Sequence, residues 1–301
     1  MMVATQREDI MKKYFLILFF VVITFSFAIN FVLSDQSLLT VKIKSTPNLV
    51  GHWALDGNYN DDSGKGNHGK EVGDPNAFGW TKGVNGGKAI MIDSARFNGS
   101  FIDIPAPIGS VFDSPKATAI VWAKLTKRNG NYWQAIAERS NLWYIETEAK
   151  PAEWKGNAFV VRIYDPVAVG GGGSGQVRDN INVTLEDDKW YQLAWTYDGA
   201  VLNCYLNGSL VLRQNYAGGL GPNANTPKIP PADKGKNYNL SLGTWQQRDD
   251  WFTGAIDDFC YFVDVLSEAK IKEFYDAMLS PSSEVTMEGK ISTFWGEIKK
   301  R

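Results

Sequence analysis

The chain has 301 residues, enough for one large domain or two smaller ones, and its formal charge of −2 gives no electrostatic reason to bind nucleic acid or an anionic membrane surface. Hydrophobic residues at 44% and charged residues at 21% are the balance of a folded soluble protein, with 11 Trp, 12 Tyr and 16 Phe making it rich in aromatics. Two His and no Gly-x-Ser-x-Gly leave nucleophilic triads without support.

Lys12 and Lys13 precede an apolar run from Tyr14 to Ala28, and Ser26-Phe27-Ala28 supplies small residues where a signal peptidase reads. Residues 1–28 therefore read as a secretory signal, which places the rest outside the cytoplasm as a secreted, periplasmic or cell-surface protein. The alternative is an uncleaved membrane anchor extending to Leu33, because apolar residues continue through Phe31, Val32 and Leu33. Residues 29–48 read as a linker, polar from Ser34 onward.

From Leu49 the pattern is β and stays β. Thr118–Leu125 and Ala158–Tyr164 read as strands, and Trp190–Tyr197, Val201–Leu206 and Ser209–Gln214 as a meander. Asp198-Gly199 and Asn207-Gly208 separate its strands, both dipeptides suiting the positive φ angles of tight hairpins. Asn239–Gly243 and Phe252–Phe262 add strands, and Ser267 opens a short helix as N-cap. Gly170–Gly175 and Ala217–Asn237 are expected to be surface insertions. Eight or more short strands with Gly- and Pro-rich loops mean an all-β, two-sheet antiparallel sandwich of the jelly-roll kind. Cys204 and Cys260 both fall inside strands, where two separately buried thiols are expected in preference to a disulfide. Residues 280–301 form a tail with Ile291, Phe294, Trp295 and Ile298 at helical spacing.

Several segments in order resemble the LamG-like jelly-roll domains of the concanavalin A-like lectin/glucanase superfamily. Gly51-His52-Trp53-Ala54-Leu55-Asp56-Gly57 looks like the opening strand, and Asp62-Ser63-Gly64-Lys65-Gly66-Asn67-His68-Gly69 like the loop after it. Tyr205-Leu206-Asn207-Gly208 resembles a hairpin of the family, and Gly254-Ala255-Ile256-Asp257-Asp258-Phe259 followed by Leu266-Ser267-Glu268-Ala269-Lys270-Ile271 its closing signature. The resemblance covers residues 49–279 as one domain. It implies a structural Ca²⁺ held between the first loop and the last strand, with Asp62, Asp257 and Asp258 as the ligands to test. The bland alternative is that these carboxylates accept hydrogen bonds from loop amides.

Trp53, Trp122, Trp190 and Trp195 occupy strand positions and are expected in the core, whereas Trp133, Trp143, Trp154, Trp245 and Trp251 lie in or near expected loops. Indole rings stack on apolar sugar faces, so Trp133, Trp245, Arg248 and Trp251 are the candidate carbohydrate site. Rim coverage is the competing role for each Trp. Hydrolysis is the weakest reading, since Glu146-Thr147-Glu148 puts two carboxylates on one strand face without a third acidic partner. Two readings stand: a non-catalytic module binding an extracellular glycan through its rim loops, or a structural domain binding protein partners without sugar.

Overall fold

The computed structural model describes residues 38–94, 96–107, 110–126, 133–139, 142–149, 157–164, 176–215, 239–244 and 249–280. The signal segment, the two Gly-rich insertions and the C-terminal tail from residue 281 lie outside the described residues. The first described element is a helix, α1 (Leu38–Lys44). The strands follow as β1 (Leu49–Trp53), β2 (Lys70–Val72), β3 (Phe78–Lys82), β4 (Lys88–Asp93), β5 (Phe101–Ile104), β6 (Ala117–Leu125), β7 (Trp133–Arg139) and β8 (Trp143–Ala149). Then come β9 (Asn157–Tyr164), β10 (Gln176–Leu185), β11 (Trp190–Tyr197), β12 (Val201–Leu206), β13 (Ser209–Asn215), β14 (Leu240–Leu242), β15 (Thr253–Phe262) and the helix α2 (Glu268–Leu279).

The strands form two antiparallel sheets. One has the order β13-β12-β11-β6-β15-β4-β3, with β1 also paired to β15; the other has the order β10-β9-β8-β7-β14-β5-β2. The all-β sandwich read from the sequence is the observed architecture. The Asn207-Gly208 turn has φ of 51° and 77°, the double positive pair of a type I′ hairpin, which lets β12 and β13 meet with matching twist. Ser267 caps α2 by accepting a hydrogen bond from the Lys270 amide.

Between the sheets lies the main core, where Trp143 stacks on Tyr261 at 5.6 Å and meets Trp195 edge-on at 5.3 Å. Trp143 is therefore a core residue. It opens β8 with its side chain inward, not in the loop its neighbourhood suggested. A second core covers the outer face of the first sheet, where Ile120, Trp122, Cys260 and Phe262 pack against Leu39 and Ile43 of α1 and Ile271, Phe274 and Met278 of α2. Residues 38–44 are thus not linker. The helix belongs to the same compact unit as the sandwich, because buried Leu39 and Ile43 cover strand surface that would otherwise face water.

Cys204 points into the inter-sheet core and Cys260 toward the helices, with β11 and β6 between their strands. Neither is in a disulfide and both are buried, as expected from their strand positions. Ile43, 1% exposed, is the sharpest test of the helical layer: Ile43→Ala is expected to lower unfolding free energy by about 2–5 kcal/mol through lost burial and a residual cavity, measured by urea denaturation against wild type.

Candidate functional site

The strand β15 has β6 along one side for its whole length. On its other side it pairs with β4 through Thr253–Ile256 and then with β1 through Phe259–Phe262. At the changeover one extra residue enters β15, between the pairs Asp257–Trp122 and Cys260–Ile120. Asp258 takes φ of 43° there, a left-handed conformation that Asp tolerates better than most residues. The extra residue also resets the alternation, so that Ile256, Phe259 and Tyr261 face the inter-sheet core while Cys260 and Phe262 face the helices.

Both carboxylates are buried. Asp257 Oδ2 accepts from the Val84 amide at 2.9 Å, and Asp258 Oδ1 lies 2.7 Å from His52 Nε2. Burial, then the Asp258 charge, pushes Asp257 well above the usual carboxylate range; burial, then Asp56 and Asp62, does the same to Asp258. Burial holds the His52 imidazole down at about 4. Asp61, rather than Asp62, organises the first loop: its carboxylate accepts from the amides of His52 at 3.0 Å, Ser63 at 2.9 Å and Asn67 at 3.0 Å. With two adjacent Asp in the sequence, only the direction of the turn decides which one faces inward.

A calcium ion needs six to eight converging oxygens. Among the described residues no three His, Cys, Asp or Glu side chains form a group able to hold a metal. Asp62, Asp257 and Asp258 do gather at one end of the sandwich, but the bonded oxygens of Asp257 and Asp258 already face nitrogen groups of this chain. Two of the oxygens such an ion would need are thereby committed to the chain itself.

The second site lies on the outer face of the other sheet. The register places Ser241 opposite Glu138, Glu138 opposite Tyr144, and Tyr144 opposite Arg162. Glu146 and Glu148, two and four residues beyond Tyr144, share that face. This polar row is buried, with Glu138, Tyr144, Glu146 and Ser241 all 0% exposed. Its margin is reachable: Trp133 is half-buried and the Arg162 side chain is 13% exposed. Arg162 Nη2 is 2.9 Å from Glu146 Oε2, and its guanidinium lies over the Trp133 ring at 4.4 Å.

The turn before β15 is drawn to the same corner by a hydrogen bond from the Ala135 amide to the Asp250 carbonyl at 2.8 Å. Half-buried Asp250 and Trp251 follow exposed Asp249 there. Trp133 and Trp251 thus come from two segments that adjoin, whereas Trp245 and Arg248 lie outside the described residues. Arg162, Glu138 and Tyr144 escaped sequence reasoning. Alternation puts Arg162 opposite Phe159, Val161 and Ile163 on β9, but nothing local shows that β7 and β8 bring glutamates beside it.

Residues 98–272, more than half of the chain, match the family described as the concanavalin A-like lectin/glucanases superfamily, and the chain belongs to it. No curated protein matches it. Among solved structures, domain 4 of AbnA, a GH43 extracellular arabinanase from Geobacillus stearothermophilus in complex with arabinotriose, is similar with TM-score 0.51 and 19% identity over 76% of this chain and 98% of that one. The binding domain of Paraclostridial Mosquitocidal Protein 1 aligns with TM-score 0.55 and 14% identity, over 79% of this chain and 53% of its own. The receptor binding domain of botulinum neurotoxin type G aligns with TM-score 0.51 and 17% identity, over 76% and 51%. The chain thus spans about half of each toxin domain, and likeness at these identities shows the shared fold.

Asp250 offers a pH test of the corner. Burial and the Asp249 charge raise its carboxyl from 3.8 to about 6, with Arg162 opposing. The folded state then binds the proton more tightly than the unfolded chain, so this group's contribution falls as pH rises between those two values and is level above them. Asp250→Asn, which keeps a residue suited to φ of 49°, is expected to melt higher than wild type at neutral pH. That advantage should vanish below the ordinary carboxylate range, as read by thermal unfolding of both proteins across pH.

Proposed function

We propose that this chain is a non-catalytic, extracellular binding module that recognises carbohydrate at the corner formed by Trp133, Arg162 and the Asp249–Trp251 turn. The observation that carries this reading is the Trp133–Arg162 pair, in which a guanidinium anchored by an ion pair to buried Glu146 lies over the indole ring. A sugar ring offers an apolar face to an indole and a rim of hydroxyls to guanidinium and carboxylate groups. Holding Arg162 in place beforehand reduces the ordering cost of binding. The likeness to an arabinanase domain solved with arabinotriose supports carbohydrate as the ligand class.

Glu146 supports binding over hydrolysis. A retaining glycosidase sets two carboxyl groups about 5 Å apart across an accessible bond, whereas Glu146 is 0% exposed and ion-paired. The second reading, a protein-interaction domain without sugar contact, draws support from the toxin domain described as receptor binding. In either reading the signal-like residues 1–28 deliver the module to the exterior or, uncleaved, tether it to the membrane. Among the described residues no helix is long and apolar enough to cross a membrane.

A glycan array that includes arabino-oligosaccharides separates the two readings. The carbohydrate reading expects at least one glycan to bind and Trp133→Ala to weaken it about tenfold or more, equivalent to about 1.4 kcal/mol, with an unchanged far-UV spectrum. Binding to no glycan would sink it in favour of a protein partner.

A further inference from the structure

The acidic junction between the first loop and the last strand is closed by nitrogen groups of the chain itself. His52 and Asp258, with side chains 0% and 4% exposed, meet at 2.7 Å. His52 is fixed from both directions along its backbone: its amide donates to Asp61 at 3.0 Å and its carbonyl accepts from the Asp62 amide at 2.6 Å. The other acidic groups are similarly engaged, Asp257 by the Val84 amide at 2.9 Å and Asp56 by the Lys88 amide at 2.6 Å. A hard cation would need several oxygens at once, and one oxygen each of Asp56, Asp257 and Asp258 is turned toward a nitrogen instead.

The imidazole reaches Asp258 through Nε2 alone. His52 Nδ1 is buried without a hydrogen-bond partner, so the ring's second nitrogen adds nothing to its placement. A buried carboxyl group left without a hydrogen-bond partner is strongly destabilising. Asp258, pinned at a strand bulge, has no freedom to turn away.

We propose that His52 takes the place of a divalent cation at this junction: its imidazole covers the inward oxygen of Asp258, and the first loop and last strand are fastened without calcium. The proposal is independent of what the Trp133 corner binds. It makes His52 the residue on which metal independence rests, and its removal should restore a demand for a cation among Asp56, Asp62, Asp257 and Asp258.

The test is thermal unfolding of the full chain after EDTA treatment, with and without millimolar CaCl₂, using MgCl₂ at matched ionic strength as control. Wild type is expected to shift by less than about 1 °C on chelation or calcium addition, against the several degrees that a saturated site confers. His52→Ala is expected to melt lower and to recover part of the loss in CaCl₂ but not in MgCl₂. Wild-type stabilisation specific to calcium would overturn the proposal, as would a folded His52→Ala that ignores calcium. If His52→Ala does not fold, His52→Gln keeps a side-chain N–H donor for Asp258 and is expected to stay insensitive to calcium. A calcium response in that variant would equally overturn the idea.

Discussion

One strand carries two neighbours in succession along a single edge, and the remainder of the molecule is arranged around that constraint. β15 pairs first with β4 and then with β1, and the change of partner is accommodated by an extra residue at Asp257–Asp258. The kink lets Phe259 stack on Trp53 at 5.3 Å from the inner face while Phe262 turns outward to Phe274 of α2. It also leaves two carboxylates in the interior, where each uncompensated charge costs several kcal/mol. The first loop and the segment around Val84 supply the compensation. These loops are consequently held close by hydrogen bonds to one strand, and their conformation depends on its bulge.

The same sheet is covered on both sides. Its central strands run nearly continuously apolar, Ala117–Leu125 being buried at every position but Lys124, because one face meets the other sheet and the opposite face meets α1 and α2. The helices thereby occupy the outer surface of that sheet. Polar residues collect instead on the outer face of the second sheet, where the alternation of β8 and β9 sends Tyr144, Glu146, Glu148 and Arg162 away from the inter-sheet core. The centre of this face is buried, and Trp133 and Arg162 lie at its reachable margin.

Much of the fold was legible in single segments. Asn207-Gly208, Asp198-Gly199 and the alternating run at 190–214 specify a meander by local backbone preference and period-two burial, which need no distant partner to be read. Ser267 reads as a cap for the same reason. Trp143 did not yield to that approach: it starts a strand two residues after a segment outside the described residues, and its inward direction is fixed by pairing with β7 and β9. The helix at Leu38–Lys44 was equally hidden, since Leu38-Leu39-Thr40-Val41-Lys42-Ile43-Lys44 is too short to be stable alone and folds by docking.

By itself the sequence determined the sandwich class and the hairpins, because turn chemistry, alternation and family spacing are properties of neighbours along the chain. Tertiary structure decided which partner each of those groups meets. His52 lies 206 residues from Asp258, Glu146 and Arg162 meet only because β8 pairs with β9, and the turn at Asp250 is tied to β7 by hydrogen bonds at Ala135 and Gln134. Hydrogen bonds and ion pairs act over a few ångströms, so contacts between distant segments exist only once the strands have taken their register.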